Sequence, residues 1–180
     1  MSHTVRYRYL LFAHLSSTAR DACAFARDRF VRPAKPVSDP RLHMTIARLA
    51  ERDDPDPLIG PRVVEAFQGV ELPGFDIGLD RIRMNPDIAM LQGKGNRPAL
   101  VPLRQPVRDR LPRAGILPYI SRTEPHVTLG YEIGRNDCQP IEPIRWIADR
   151  LDLVESWAGR TVHRTLASWP LVNRQLSFGF

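Results

Sequence analysis

One four-residue pattern, written twice, constrains this chain more than any other feature of it. His43-Met44-Thr45-Ile46 and His126-Val127-Thr128-Leu129 both read His-x-Thr-x with apolar residues at the x positions. Alternation with period two marks a strand with one buried face. Residues i and i+2 of a strand point to the same side, so each His shares a face with its own Thr. Met44 and Ile46, or Val127 and Leu129, point the other way and can be covered by helices. Two such strands facing one cleft supply two imidazoles and two hydroxyls, a set suited to acid–base chemistry on a phosphate.

The surroundings of the two motifs repeat as well. Tyr7 to His14 reads as a strand, and Ser16 or Ser17 can cap a helix from about Thr18 to Phe30 whose stripe is Ala22, Phe25, Ala26 and Phe30. A loop with Pro33, Pro36 and Pro40 then leads to the first motif strand, Leu42 to Leu49. Further on, Asp87 to Gln92 reads as a strand, Pro98 to Ala114 as a helix interrupted by prolines, and a loop leads to the second motif strand, His126 to Ile133. The strand-to-motif spacing is about 35 to 40 residues in both halves. Between the halves lie an acidic turn from Asp53 to Pro57, a short helix from Pro61 to Phe67 and a strand from Gly74 to Met84. Asp149 to Ser156 and Arg160 to Pro170 read as a closing pair of strands, with Gly159 in the turn. The repeated order predicts an α+β fold of two pseudo-symmetric lobes, each a mostly antiparallel sheet flanked by helices, with a central cleft. All 180 residues are expected to form one such domain.

A third copy, His163-Arg164-Thr165-Leu166, tests how much the tetrapeptide itself carries. One x position is Arg, and no strand–helix–loop precedes it, so it reads as a decoy on a late strand. His14 and His3 have no Thr two residues on and read as a core-edge and a terminal residue. A single His-x-Thr is better explained as a half-buried strand whose polar groups satisfy one another; two with matched apolar backs and matched upstream order are not.

Composition narrows the remaining classes. With 43% hydrophobic and 26% charged residues the chain reads as soluble and globular, and no apolar run approaches the roughly 20 residues of a membrane span. Leu10 to Ala13 is too short for the apolar region of a signal peptide. Cys23 and Cys138 lack any CxxC spacing and read as ordinary thiols in a reducing cytoplasm. Two His without Cys or suitably spaced carboxylates are short of a metal-ligand set, and no GxxxxGK[ST] or GxGxxG loop is present, so neither a metal nor a nucleotide cofactor is expected. Gly93-Lys94-Gly95-Asn96 resembles a phosphate-binding turn only loosely and reads as a loop tip. The net charge of +6 and pI near 10.0 favour a polyanionic partner, and the basic residues are Arg apart from Lys35 and Lys94.

The paired motifs, about 80 residues apart in a chain of this length, resemble those of the 2H phosphoesterase superfamily, most closely the RNA 2′,3′-cyclic phosphodiesterases also called 2′-5′ RNA ligases. Arg41-Leu42-His43-Met44-Thr45-Ile46 is similar to the first family motif and Glu124-Pro125-His126-Val127-Thr128-Leu129 to the second. Tyr9-Leu10-Leu11-Phe12-Ala13-His14-Leu15 is similar to the family's opening strand. Members often carry a basic residue shortly after the second motif, where this chain has Gly130-Tyr131.

The resemblance implies metal-independent opening of a cyclic phosphodiester, with His126 as base and His43 as acid; the residues alone leave that order open, because the site is nearly symmetric. Thr45 and Thr128 are expected to donate to non-bridging phosphate oxygens. Arg48 and Arg122 are the nearest arginines, and Tyr131 or Phe12 could stack on a base, though Phe12 suits the core better. The expected partner is RNA or a nucleotide with a cyclic phosphate, acted on by a monomer without membrane or metal. Other readings stay open: a phosphodiesterase for another small or 2′-5′ linked nucleotide, and a non-catalytic RNA or nucleotide binder.

Overall fold

The computed structural model describes residues 6–95, 97–121, 124–160 and 162–172. In chain order the strands are β1 (Arg6–His14), β2 (Lys35–Pro36), β3 (His43–Arg52), β4 (Leu72–Pro73), β5 (Phe75–Met84), β6 (Ile88–Gln92), β7 (His126–Tyr131), β8 (Asp137–Ala148), β9 (Arg150–Ala158) and β10 (Val162–Val172). The helices are α1 (Ser17–Ala26), α2 (Ile59–Ala66) and α3 (Val101–Arg110). The architecture is α+β. One sheet runs in the order β4-β10-β9-β1-β3-β7-β6-β5-β8, with β2 paired to β7, and every pairing but β10–β4 is antiparallel.

The two halves meet at the motif strands. β10, β9, β1 and β3 make one lobe; β7, β6, β5 and β8 make the other, and the seam between them is a single registered pair, Met44 with Val127. The alternation read from the sequence is what sets this arrangement. Met44 and Ile46, Val127 and Leu129, and Tyr9, Leu11 and Ala13 are all nearly inaccessible and join one hydrophobic core under the sheet. Helices cover that side: α1 packs on β8, α2 on β10, and α3 beside β4.

Ser16 caps α1, its hydroxyl accepting from Ala19 N–H at 3.2 Å. The buried side of α1 is made of small residues, Ala19, Cys23, Ala24 and Ala26. Phe25 and Phe30 depart from their expected place in the apolar stripe. They are 66% and 39% exposed and line an open groove of about 520 Å³ between α1 and β8. The small side chains let α1 approach closely, and the bulky rings are pushed to its flank. Five residues of wider helical turn, Arg27–Val31, follow α1 and end at Arg32, which adopts a left-handed conformation.

β8 is the strand that sequence reading passes over, because Pro140 and Pro143 interrupt it. It lies at the end of the sheet, where one edge needs no partner, and Pro143 falls within the register shift opposite β5. None of the described helices is long and apolar enough to cross a membrane.

Candidate active site

The register at the seam organises the site. Met44 opposite Val127 in an antiparallel pair places His43 across from Thr128 and Thr45 across from His126. Each His therefore faces the other motif's Thr, and the two imidazoles occupy the diagonal of a four-residue square. Diagonal positions on adjacent strands stand about 7–8 Å apart. A phosphate fits between groups so spaced, with a ring on either side and a hydroxyl at each remaining corner.

Both histidines are fixed the same way. His43 Nδ1–H donates to the Arg41 carbonyl at 2.6 Å, and His126 Nδ1–H to the Glu124 carbonyl at 3.1 Å. In each case the acceptor lies two residues upstream, just before the strand begins. A carbonyl can only accept, so the proton of the neutral ring sits on Nδ1 and Nε2 keeps its lone pair. Both rings are half-buried; Thr128 is half-buried and Thr45 exposed.

The neighbours of the two histidines differ. Phe12, opposite Thr45 on β1, stacks on His43 with ring centroids 3.5 Å apart and planes at 20°. It is 3% exposed, so its ring covers the imidazole and presents no free face to a base. His14 lies opposite His43 and bonds through Nε2 to Asp152, which is buried. His163 is the largest departure from expectation. Far from being a decoy, it lies edge-on to His43 at 5.7 Å between centroids and 5.5 Å from Phe12. Its Nε2 accepts from Arg41 Nη2 at 3.1 Å, so His163 holds the residue whose carbonyl holds His43. Three strand spacings, about 14 Å if flat, separate β10 from β3. Rings this close mean the sheet curls round the site.

Burial dominates the electrostatics. It pushes His43 down to about 3, helped by His163, Arg41 and His14, while the bond to the Arg41 carbonyl works in the opposite direction. His163 is lowered to about 4 by burial and by Arg41. At neutral pH both rings are uncharged. Among the described residues no three His, Cys, Asp or Glu side chains are grouped to hold a metal ion.

The other candidate residues are spread out. Tyr131 is 48% exposed and pairs with Ile88, and a register shift past Met90 turns it to the same face as Thr128. Arg48 is exposed three residues beyond Thr45, over the ring of Tyr119 at 5.0 Å and 3.8 Å from Glu51. Arg122 lies outside the described residues. Gly130, which follows the second motif in place of a basic residue, is kept small by Pro33: a Cβ there would stand 2.4 Å from Pro33 Cγ.

No protein-family model matches the chain, and no curated protein matches it. Solved structures do. E. coli LigT complexed with 3′-AMP is 22% identical, with a TM-score of 0.73 over 93% of this chain and 99% of that one. A structure described as a phosphoesterase is 22% identical, with a TM-score of 0.69 over 92% of this chain and 98% of that one. A protein of Thermus thermophilus is 20% identical, with a TM-score of 0.66 over 93% and 99%. Over nearly its whole length, this chain has the fold of LigT and of that phosphoesterase, as the two motifs implied.

Proposed function

We propose that the chain is a 2H phosphoesterase that opens RNA 2′,3′-cyclic phosphate ends by histidine acid–base catalysis without a metal, with 2′-5′ ligation as the same opening by a 5′-hydroxyl in place of water. The observation that carries this reading is the crosswise seam: two His-x-Thr strands in antiparallel register, each ring fixed by the carbonyl two residues upstream. The fold shared with LigT, which has been solved with 3′-AMP and with ATP, supports it.

The cyclic phosphate sits between the rings, its non-bridging oxygens accepting from Thr45 and Thr128. One imidazole Nε2 takes a proton from water as the oxygen attacks phosphorus. The bond from phosphorus to one ribose oxygen breaks, and the second imidazole, entering protonated, delivers its proton to that oxygen. The depressed His43 favours the form that accepts a proton, so His43 enters as the base and His126 as the acid in hydrolysis. This is the reverse of the order the family resemblance implies; in ligation the base takes its proton from the 5′-hydroxyl and the two groups keep these roles.

The test is a panel of 2′,3′-cyclic, 2′-5′ linked and 3′,5′-cyclic nucleotides followed by ³¹P NMR and mass spectrometry, with and without EDTA. Turnover of the 2′,3′-cyclic ends, unaffected by EDTA and lowered by roughly 10²-fold or more in His43→Ala and in His126→Ala, is expected. Near wild-type turnover in either variant would sink the paired-histidine mechanism.

A further inference from the structure

The face that carries the two histidines does not end at β7. Directly opposed residues of an antiparallel sheet share a face. Gln92 opposes His126, and Arg81 opposes Gln92. In the adjoining row Met90 opposes Thr128, Arg83 opposes Met90, and Cys138 opposes Arg83. Two rows thus run outward from the motif strand across β6 and β5 to the edge strand β8, turning from His and Thr to Arg.

The outer residues of these rows line an open groove of about 390 Å³ bounded by Arg81, Arg83, Gln92, Lys94, Glu124 and Cys138. Its charge is positive. Arg83 and Lys94 are exposed and have no acidic partner among the described residues, whereas Arg81 is bonded to Asp80 at 2.9 Å. The carboxylate in the groove, Glu124, is met by Arg97 at 3.1 Å and lies near the buried Arg104. The turn at Gly93-Lys94-Gly95 contributes a side chain rather than a nest of free N–H groups, because Lys94 N–H already donates to Asp80.

We infer that this groove holds the phosphodiester next to the reacting one, and hence that the substrate is a single-stranded oligonucleotide rather than a mononucleotide. The inference rests on the phosphodiesterase reading and extends it. From β7 to β5 is two strand spacings, about 10 Å, a span that extended single strand covers in one or two nucleotides. The groove is open and begins beside His126, whose strand partner Gln92 and carbonyl acceptor Glu124 both line it, so a chain can leave the site along it. Arg83 and Lys94 supply the unsatisfied cations.

Two measurements decide the matter. In the first, KM is compared for a 2′,3′-cyclic mononucleotide and for di- and trinucleotides ending in the same group. A drop of about tenfold on adding the first internal phosphate is expected, the scale of a charge-assisted contact. In Arg83→Gln/Lys94→Gln that advantage collapses toward one; an advantage that persists in the variant overturns the inference. The second needs no turnover. Cys138 is exposed in the groove, while Cys23 is buried with its thiol raised to about 12, so alkylation reads Cys138 alone. A dinucleotide ending in a 3′-phosphate should slow that alkylation, with a salt slope about 0.7 lower for each cation removed. Absence of protection, or equal protection by ATP, overturns the oligonucleotide assignment. Protection without turnover of any cyclic end would keep the groove and defeat the phosphodiesterase reading.

Discussion

Phe12 lies flat on His43, 3.5 Å between ring centroids, and so removes water from one whole face of a reacting imidazole. Burial is the main reason that His43 is held near 3. Phe12→Ala should therefore move the His43 titration, followed by the ring proton shifts in NMR, upward toward the ordinary value. The same variant should lose about 3–5 kcal/mol of stability in urea, as large-to-small core changes do. A midpoint that stays near 3 would show that the stack does not set it.

The order of the acid and the base has its own signature. The profile of kcat/KM against pH reports the free protein. The acid limb should lie near 3, where His43 takes up a proton, in either order, because an acid–base pair gives the same profile shape whichever ring plays which part. A substrate whose leaving group needs no proton separates the orders: with a p-nitrophenyl phosphodiester, His126→Ala should keep most of the wild-type turnover while His43→Ala stays low. Recovery in His43→Ala instead would make His43 the acid.

Stability should fall in mild acid for a related reason. His43 and His163 have folded-state values well below the unfolded 6.5, so the unfolded chain binds more protons between pH 6.5 and 3. Stability is full above 6.5 and is lost as pH drops through that window, most of the His163 share by about pH 4. The titratable and charged groups nearby are Arg41, the His14–Asp152 pair and Arg150 beside Asp152. Urea unfolding at stepped pH should show a shallower acid loss in His163→Asn, whose side chain stays neutral and can still accept from Arg41. An unchanged slope would remove His163 from the account.

Gly130→Ala tests the close approach that replaces a basic side chain after the second motif. The new methyl would meet Pro33 Cγ at 2.4 Å and Lys35 O at 3.0 Å. The Pro33–Lys35 segment must move and the short β2–β7 pairing with it, at about 1–3 kcal/mol, the cost of overpacking. Activity should fall too, because Gly130 sits two residues from Thr128 on the same strand. Wild-type stability would mean that the segment yields freely.

What could be read in advance was whatever rests on alternation. Met44, Ile46, Val127 and Leu129 are buried as their period-two spacing requires, and the duplicated order of strand, helix and loop is present on both sides of the seam. What escaped depends on tertiary curvature or on edges. Nothing local in His163-Arg164-Thr165 says that β10 will bend back over β3. Pro140 and Pro143 argue against a strand unless β8 is known to be at the sheet's end. Phe12 could be placed in the core, but that its ring would lie on His43 follows only from the β1–β3 register. The basic groove was invisible because Arg81 and Arg83 come from β5 and Lys94 from the turn after β6, and they meet only once those two strands pair.

The route of the chain through the sheet carries a consequence for how the molecule is made. β7, β6, β5 and β8 come from one continuous stretch, residues 75–148, whereas β1 and β3, which pair early with each other, must wait for β9 and β10 to complete their lobe. As the ribosome delivers the chain, the His126 lobe can close on itself first. The outer edge of β1 stays unpaired, and His14 lacks Asp152, until β9, which begins at Arg150, has emerged. His43 thus acquires its buried surroundings late, and a chain stopped before β9 would carry both motifs without a working site.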